Sequence, residues 1–195
     1  TSFRNLLSMV PAIYATEFED LKTDGTLALE GYSKGTYTEK GLPAFGLDLK
    51  VENAMFHYPD LPSSVDNINI NVSINNPGGS EDNTVVDVSK FHLELAGNPV
   101  DIHLMMKTPV SDPQIDCGIE GIIELNKLKD VIPMEKGEEM NGTISSDITL
   151  QGKLSTIENE EYEKFNAKGG LEITDLSYKS ADLPQGMLIQ SAKME

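Results

Sequence analysis

The sequence contains no tryptophan, a single cysteine, Cys117, and a single arginine, Arg4. One cysteine cannot form an intrachain disulfide, and no second thiol is available to complete a metal site, so we expect a small buried side chain. Fifteen basic residues against 32 acidic ones give a net charge of −17. Nucleic-acid surfaces need clustered Lys and Arg, so this charge argues against a nucleic-acid-binding protein. An anionic membrane surface would repel the chain as well.

Long hydrophobic runs are also missing. No stretch approaches the roughly 18 to 20 consecutive apolar residues of a transmembrane helix, and the N-terminus lacks the regions of a signal peptide. The chain starts at Thr1 instead of Met, and we expect it to be a segment of a longer protein whose anchor or targeting signal lies outside it. Its 195 residues suffice for one compact or elongated domain.

The first residues show helical periodicity. Between Ser2 and Tyr14, apolar residues recur at intervals of three and four, which is typical of an amphipathic helix. Pro11 has no backbone N–H, so we expect the helix to kink or restart there. This pattern predicts a helical lead-in over residues 1–22. After Gly25 the apolar period changes to two.

Period two dominates the remaining sequence and predicts half-buried antiparallel strands with one apolar and one polar face. A further strand changes phase between Val88 and Phe91, which predicts a β-bulge near Ser89–Lys90, because a one-residue slip exchanges the two faces. The regularly alternating stretches are residues 26–31, 45–51, 68–74, 100–106, 115–125 and 140–154.

Short helical elements are expected between some of these strands. Ser155 and Glu158 fit a capping box for a helix over residues 156–165, and a further turn is expected at residues 126–131. The predicted fold is therefore mainly β with minor α content. It consists of a long antiparallel, curved sheet built from repeated strand units, with a kinked N-terminal helix and one or two short covering helices.

One sequence motif occurs twice. "LKVENAMFHYPDLP" (residues 49–62) returns as "LEITDLSYKSADLP" (residues 171–184) at an offset of 122 residues, and "GTLALEG" resembles "DITLQG" further along at an offset of 121. Repeated strand units cover each other's edges and apolar faces. The repeat predicts a single elongated domain over 1–195, with related units at about 23–76 and 140–195.

The motifs that might support catalysis or metal binding are isolated. "GYSKG" fits the pattern of a hydrolase nucleophile elbow around Ser33, but that reaction needs a helix directly after the serine, and "TYTEKGLP" is not helical. The three histidines lie singly on different predicted strands, and "SEDN" with Asp87 lacks the spacing of a calcium loop. No glycine-rich phosphate loop is present. We therefore predict a non-enzymatic protein with no catalytic, cofactor-binding or metal-binding residues.

Several phrases taken together resemble the C-terminal region of AsmA-like proteins, a Gram-negative envelope family that includes TamB-like relatives. The most specific parts are "AFGLDLKVENAMFHYPDLP" (residues 44–62) and the Leu-x-Gly strands, whereas isolated items such as "SDP" are weak. The resemblance covers nearly the whole chain. It implies a periplasmic, β-rich segment of a protein that is anchored to the inner membrane by a helix absent here, and it implies no catalytic residues.

The resemblance also implies a function in outer-membrane biogenesis, in which an apolar β-groove carries phospholipid or another envelope lipid between membranes. The strand pattern agrees, because long alternating strands create a broad apolar face with few helices to cover it. The alternative is a structural or adhesion-type β module with a closed core that binds protein partners. The predicted groove residues share the apolar side of their strands: Leu27, Leu29, Ile68, Ile70, Val72, Ile74, Ile144, Ile148 and Leu150.

Overall fold

The structure is a computed structural model that describes residues 22–38 and 41–194. Nine strands form one antiparallel sheet, and their order in the sheet is their order along the chain. The strands are β1 (Lys22–Lys34), β2 (Ala44–His57), β3 (Val65–Asn76), β4 (Val85–Leu95), β5 (Asn98–Lys107), β6 (Gln114–Glu124), β7 (Glu139–Lys153), β8 (Asn166–Lys179) and β9 (Met187–Met194).

The mainly β prediction is confirmed. The described residues contain one α-helix, α1 (Leu154–Glu158), and three 3-10 turns, at Glu81–Asn83, Leu125–Asp130 and Tyr162–Lys164. Each strand pairs only with its neighbours in the chain, so the sheet is an open meander whose outer strands are β1 and β9. The kinked helix and most of the lead-in predicted over residues 1–22 lie outside the described residues.

The predicted internal helices are partly correct. The turn expected at residues 126–131 is the 3-10 turn Leu125–Asp130, whereas the helix expected over residues 156–165 is divided into α1 and the turn Tyr162–Lys164. The capping box is wrong, because α1 begins at Leu154 and already contains Ser155. The hydroxyl of Thr156 instead donates to the backbone carbonyl of Lys153, at 2.6 Å.

The predicted bulge in β4 is present. The pairing with β5 shifts register between Val88 and Phe91, and the pairing with β3 shifts at the corresponding place. The extra residue returns the apolar side chains that follow it to the same side of the sheet as those that precede it. β4 therefore contributes apolar residues to one face along its whole length.

Two aspartates connect neighbouring turns at one end of the sheet. The carboxylate of Asp82 accepts hydrogen bonds from the backbone N–H groups of Val110 and Ser111, at 3.0 and 2.9 Å. That of Asp112 accepts from the ammonium of Lys153, at 3.0 Å, and from the N–H of Ser155, at 3.3 Å. These contacts favour the charged form. Hydrogen bonds from Ser111 and then Val110 lower the pKa of Asp82, and those from Lys153 and then Ser155 lower the pKa of Asp112.

The strand pairing relates the first three strands to the last three. Leu49 pairs with Val72 and Val51 with Ile70, and 122 residues further on Leu171 pairs with Met194 and Ile173 with Ala192. The residues of the two Asp-Leu-Pro motifs that lie in strands thus have matching places in the ladder, β2 corresponding to β8 and β3 to β9.

A bulge occurs at the same point of both motifs. Asn53 and Asp175 both have left-handed backbones, with φ of 48° and 49°. Opposite them lie Gly25 and Gly142, where an added Cβ would come within 2.4 Å of the Cα of Ala54 and within 2.6 Å of the Cα of Leu176. Each of the two bulges therefore has a glycine opposite it, which permits close approach of the facing backbone.

This bulge corrects the alignment of β1 with β7. The equivalence of Gly25 and Gly142 gives an offset of 117 residues, and the pairs Thr26–Glu52 and Thr143–Thr174 agree with it. The offset of 121 predicted from Leu29 and Leu150 is therefore wrong by four residues. A four-residue shift leaves every side chain on its own face, so the apolar pattern cannot distinguish the two alignments.

A small core closes one end of the sheet. Its buried residues come from β1, β2, β3 and the segment between β6 and β7. A backbone hydrogen bond from the N–H of Ser63 to the carbonyl of Asp130, at 2.8 Å, joins this segment to the connection between β2 and β3. The buried cluster consists of Leu27, Val51, Ala54, Val65, Ile68 and Val131. Val131 is fully buried, so the segment 125–132 covers this end of the apolar face.

Candidate functional site

One face of the sheet is apolar across seven strands. The register places directly paired residues side by side, so their side chains form rows that run perpendicular to the strands. One row is Leu27, Val51, Ile70, Phe91, Ile102, Ile119 and Ile148. The row begins in the closed core at Leu27, which is 5% exposed, and extends beyond the core to Ile119, which is 45% exposed.

A second apolar row runs beside the first, two residues away on each strand except β4, where the bulge makes the step three residues. Its members are Leu29, Leu49, Val72, Val88, Leu104, Cys117, Leu150 and Ala167. Neighbouring strands lie about 4.8 Å apart, so the seven steps of this row extend about 34 Å. A third row contains Leu47, Ile74, Val86, Met106 and Ile115. We call the second and third rows together the apolar strip.

The described residues cover the closed core, but they leave the apolar strip partly exposed. Leu29 and Leu47 are 42% and 39% exposed, and Val72, Ile74 and Leu150 are half-buried. The segment 125–132 contributes to the closed core, where Leu49 and Ile70 pack against its margin. A monomeric soluble protein rarely exposes a contiguous apolar surface of this extent, and such surfaces usually contact lipid or protein.

All nine residues predicted to line a groove lie on this face. Leu27, Ile70 and Ile148 belong to the first row, Leu29, Val72 and Leu150 to the second, and Ile74 to the third. Ile144 pairs with Ile123 and Ile173 further along β7, and Ile68 pairs with Ala54. Two of the nine, Leu27 and Ile68, are buried in the closed core, so they contribute to stability and are not available to a ligand.

Cys117 lies in the apolar strip between Leu104 and Leu150. It is half-buried, where the sequence had led us to expect a small buried side chain. Desolvation, and then the charge of the adjacent Asp116, raise the pKa of the thiol. The thiol is therefore protonated at neutral pH and behaves as a small apolar group within the strip.

The opposite face of the sheet is largely polar and carries a row of acidic residues. Asp101 pairs with Glu120, which pairs with Asp147, so three carboxyl groups lie side by side, and like charges in this position are mutually destabilising. His92 lies next to them and contacts Asp101, with 2.8 Å between Nδ1 and Oδ1. No group of His, Cys, Asp and Glu side chains suited to a metal ion occurs in residues 22–38 and 41–194.

The remaining sequence motifs have ordinary structural surroundings. Ser33 lies in β1 opposite Phe45, and the described residues between it and β2 include no helix. In "SEDN", the side chain of Ser80 caps the first 3-10 turn and the carboxylate of Asp82 is engaged by two backbone N–H groups. His57 contacts the carbonyl of Ser63, at 3.0 Å.

The sequence interpretation missed β9 and its edge. The segment "MLIQSAKM" begins with three consecutive apolar residues, so it lacks the alternation on which the other strands were predicted. The available signal for this strand was its equivalence to β3, because the paired positions of β8 and β9 repeat those of β2 and β3.

No protein-family model, curated protein or solved structure matches the chain. The geometry of the described residues therefore defines a class alone: an open nine-stranded antiparallel meander with a polar face and an apolar face. Within the described part of the chain, no helix is long and apolar enough to cross a membrane.

Proposed function

We propose that the apolar strip holds the acyl chains of lipid molecules, and that the chain is an envelope segment similar to AsmA-like proteins that supports outer-membrane biogenesis. The observation that carries this proposal is the continuous apolar row from Leu29 to Ala167, whose side chains stay half-buried to exposed outside the closed core. On this proposal the chain works on the periplasmic side of a Gram-negative envelope and catalyses no reaction.

The dimensions of the apolar strip suit an acyl chain. A bilayer core of two acyl layers is about 30 Å thick, so one extended acyl chain covers about 15 Å. The second row extends about 34 Å across the strands, which is enough for two chains placed end to end. A lipid bound there keeps its head group at the margin of the sheet, where water reaches it. The row of acidic residues on the opposite face favours the apolar side as the one that approaches lipid.

A second candidate function is a structural or adhesion-type module that binds protein partners. The closed core of Val51, Val65 and Val131 favours it, because this end of the sheet already packs as a ligand-free hydrophobic core does. The two functions differ in what occupies the apolar strip. A lipid-transport segment carries lipid there, whereas a protein-binding module does not.

Photo-crosslinking from adjacent residues on opposite faces tests the proposal. Val72 lies in the apolar strip, and the next residue, Ser73, pairs with Asp48 and Asp87 on the polar face. A photoreactive amino acid at position 72, in protein produced in Gram-negative cells, should form phospholipid adducts that mass spectrometry detects. The same amino acid at position 73 is the matched control and should form none. Equal adducts from both positions, or none from either, would refute the lipid proposal.

A substitution pair tests the same point without a crosslinker. Leu150→Asp places a carboxylate in the apolar strip, whereas Thr149→Asp places one on the opposite face of the same strand. We expect Leu150→Asp to lose the phospholipid that copurifies with the protein in native mass spectrometry and Thr149→Asp to retain it. Far-UV circular dichroism of both variants checks that the sheet remains folded.

A further inference from the structure

The segment that closes the core has a counterpart in the sequence near the start of the chain. Residues 125–133 read "LNKLKDVIP", and residues 3–11 read "FRNLLSMVP". Both have leucine at the fourth place and proline at the ninth, and the offset of 122 residues is the one that relates the two Asp-Leu-Pro motifs. Residues 3–11 precede the described part of the chain. In the sequence, the repeat therefore includes the covering segment as well as the strands.

The segment 125–132 packs through its apolar residues. Val131 is fully buried and Leu125 is 7% exposed, while Leu128 and Ile132 are partly buried and pack against the closed core. The counterparts of these residues, 122 positions earlier, are also apolar: Phe3, Leu6, Met9 and Val10. The segment 3–10 thus has the side chains that are needed to cover an apolar surface in the same way.

The surface that the segment 125–132 covers also occurs twice. It is formed by β1 to β3, which correspond to β7 to β9. Val51, Ala54 and Val65 are at most 1% exposed there. Their counterparts, with two apolar residues that pair with them, form what we call the second core surface: Ile144, Ile173, Leu176, Met187 and Ile189. Met187 is 46% exposed and the other four are half-buried.

The connections beside the two surfaces share a hydrogen bond. In the connection between β2 and β3, the N–H of Leu61 donates to the carbonyl of Tyr58, at 3.0 Å. In the connection between β8 and β9, the N–H of Leu183 donates to the carbonyl of Ser180, at 3.2 Å. The same offset of 122 residues separates the two donors and the two acceptors. The equivalence therefore extends from the strands to the turns.

One backbone donor distinguishes the two connections. The N–H of Ser63 donates to the carbonyl of Asp130 in the segment 125–132, at 2.8 Å. Its counterpart, the N–H of Gln185, makes no hydrogen bond with any described residue. The counterpart of Asp130 is Ser8. If the segment 3–10 packs on the second core surface, it brings the carbonyl of Ser8 to the N–H of Gln185.

The segment 3–10 is close enough in sequence to reach the second core surface of its own chain. Eleven residue steps separate Pro11 from Lys22, the first residue of β1, and an extended chain of that length spans about 36 Å. β7 lies six strand spacings from β1, which is about 29 Å. A tether of this length keeps the segment at an effective concentration in the millimolar range, which favours its own chain over a second copy.

We propose that the segment 3–10 is a second covering segment, which packs on the second core surface of the same chain as the segment 125–132 packs on β1 to β3. Leu6 and Met9 then take the places of Leu128 and Val131. The apolar face is closed at both outer sets of strands, and the apolar strip keeps its exposure. The inference is independent of the proposed lipid function, because this contact needs no ligand in the strip.

Photo-crosslinking in the complete chain tests the contact. A photoreactive amino acid at position 6 should form adducts with Leu176 or Ile189, which mass spectrometry of the digested protein locates. Position 4 is the matched control and should form none with these strands, because its counterpart, Asn126, is exposed. Absence of adducts on β7 to β9 from position 6 would overturn the proposal, and so would adducts on β1 to β3.

A mixture of isotope-labelled and unlabelled chains identifies which copy supplies the segment. The adducts from position 6 should join two labelled peptides or two unlabelled ones, because both peptides come from one chain. Adducts that join labelled to unlabelled peptides as often would mean that a second copy supplies the segment, and would overturn the assignment to the same chain.

Hydrogen exchange tests the contact without a crosslinker. Leu6→Asp places a carboxylate where the segment packs, and should make the amide of Gln185 exchange about tenfold faster, because the hydrogen bond of that amide is lost. Arg4→Asp adds the same carboxylate on the exposed side and should leave this exchange unchanged. The amide of Ser63 should be unaffected in both variants, which checks that the fold is kept. Equal exchange at Gln185 in the parent protein and in Leu6→Asp would overturn the proposal.

Discussion

Two valines on the same face allow the openness of the apolar strip to be measured. Val51 is 1% exposed in the closed core, and Val72 is half-buried in the strip. Truncating Val to Ala removes two methyl groups, worth about 1.6 kcal/mol when fully buried, and an unrelaxed cavity adds about 1 kcal/mol. We therefore expect Val51→Ala to lower the free energy of unfolding by about 2.5 kcal/mol.

The same truncation at Val72 should be much less destabilising. A half-buried side chain loses about half of the transfer free energy, about 0.8 kcal/mol, and no cavity forms where solvent or ligand fills the space. The difference of about 1.7 kcal/mol corresponds to about an 18-fold difference in the unfolding equilibrium. For a chain of this size it separates the melting temperatures of the two variants by about 3–7 °C.

Urea unfolding followed by far-UV circular dichroism is the suitable assay, because the chain has no tryptophan. Both variants should keep the m-value of the parent protein. Equal destabilisation by Val51→Ala and Val72→Ala would refute the reasoning, because it would mean that Val72 is covered in solution as completely as Val51. If the strip holds lipid, adding phospholipid should stabilise the parent protein and narrow the difference between the variants, because Val72→Ala removes methyl groups that contact the bound acyl chain.

Three further predictions concern acid stability, the bulge and the serine motif. The pKa values of Asp82 and Asp112 are lowered in the folded protein. Both carboxylates therefore stabilise the fold above about pH 4, and this stabilisation is lost as the pH falls through their folded pKa values. In acid titrations, Asp82→Asn and Asp112→Asn should lose stability less steeply than the parent protein. Gly142→Ala should lower the free energy of unfolding by roughly 2–4 kcal/mol, because the added Cβ meets the facing backbone. Gly137→Ala is the control and should cost about 1 kcal/mol, because nothing lies within 4 Å of its added Cβ. Thermal unfolding measures both effects. Ser33→Ala should change stability by less than about 0.5 kcal/mol, and a fluorophosphonate probe should leave Ser33 unlabelled; labelling would contradict the prediction.

The apolar face was predictable because alternation is a local property. The alternation of residues within each strand indicates which side of that strand is apolar. Even the bulge between Val88 and Phe91 is visible as a change of phase in the apolar pattern. The division of that face into a closed core and an open strip was not predictable, because it depends on where the segment 125–132 folds back. Leu27 and Leu29 look alike in sequence, yet one is 5% and the other 42% exposed.

The repeat was predictable in β2 and β8 but was misaligned in β1 and β7. Leu29 and Leu150 match by residue type, but pairing depends on the backbone, and the backbone is fixed at the bulge. A sequence signal for the bulge does exist: "DGT" at residues 24–26 and "NGT" at residues 141–143 stand at the correct offset of 117. The signal is short, and it gains meaning only when the left-handed Asn53 and Asp175 are known to lie opposite.

The meander also determines the order in which the chain can fold. Every strand finds its partner in the neighbouring hairpin, so the loops to be closed are short and pairing can proceed as the chain lengthens. The closed core is different, because Val131 must return past three strands, β4 to β6, to reach Val65, and past a fourth, β3, to reach Val51. Until that segment arrives, no described segment covers the apolar face of β1 to β6, and during this interval the exposed apolar surface makes the nascent protein most prone to aggregation.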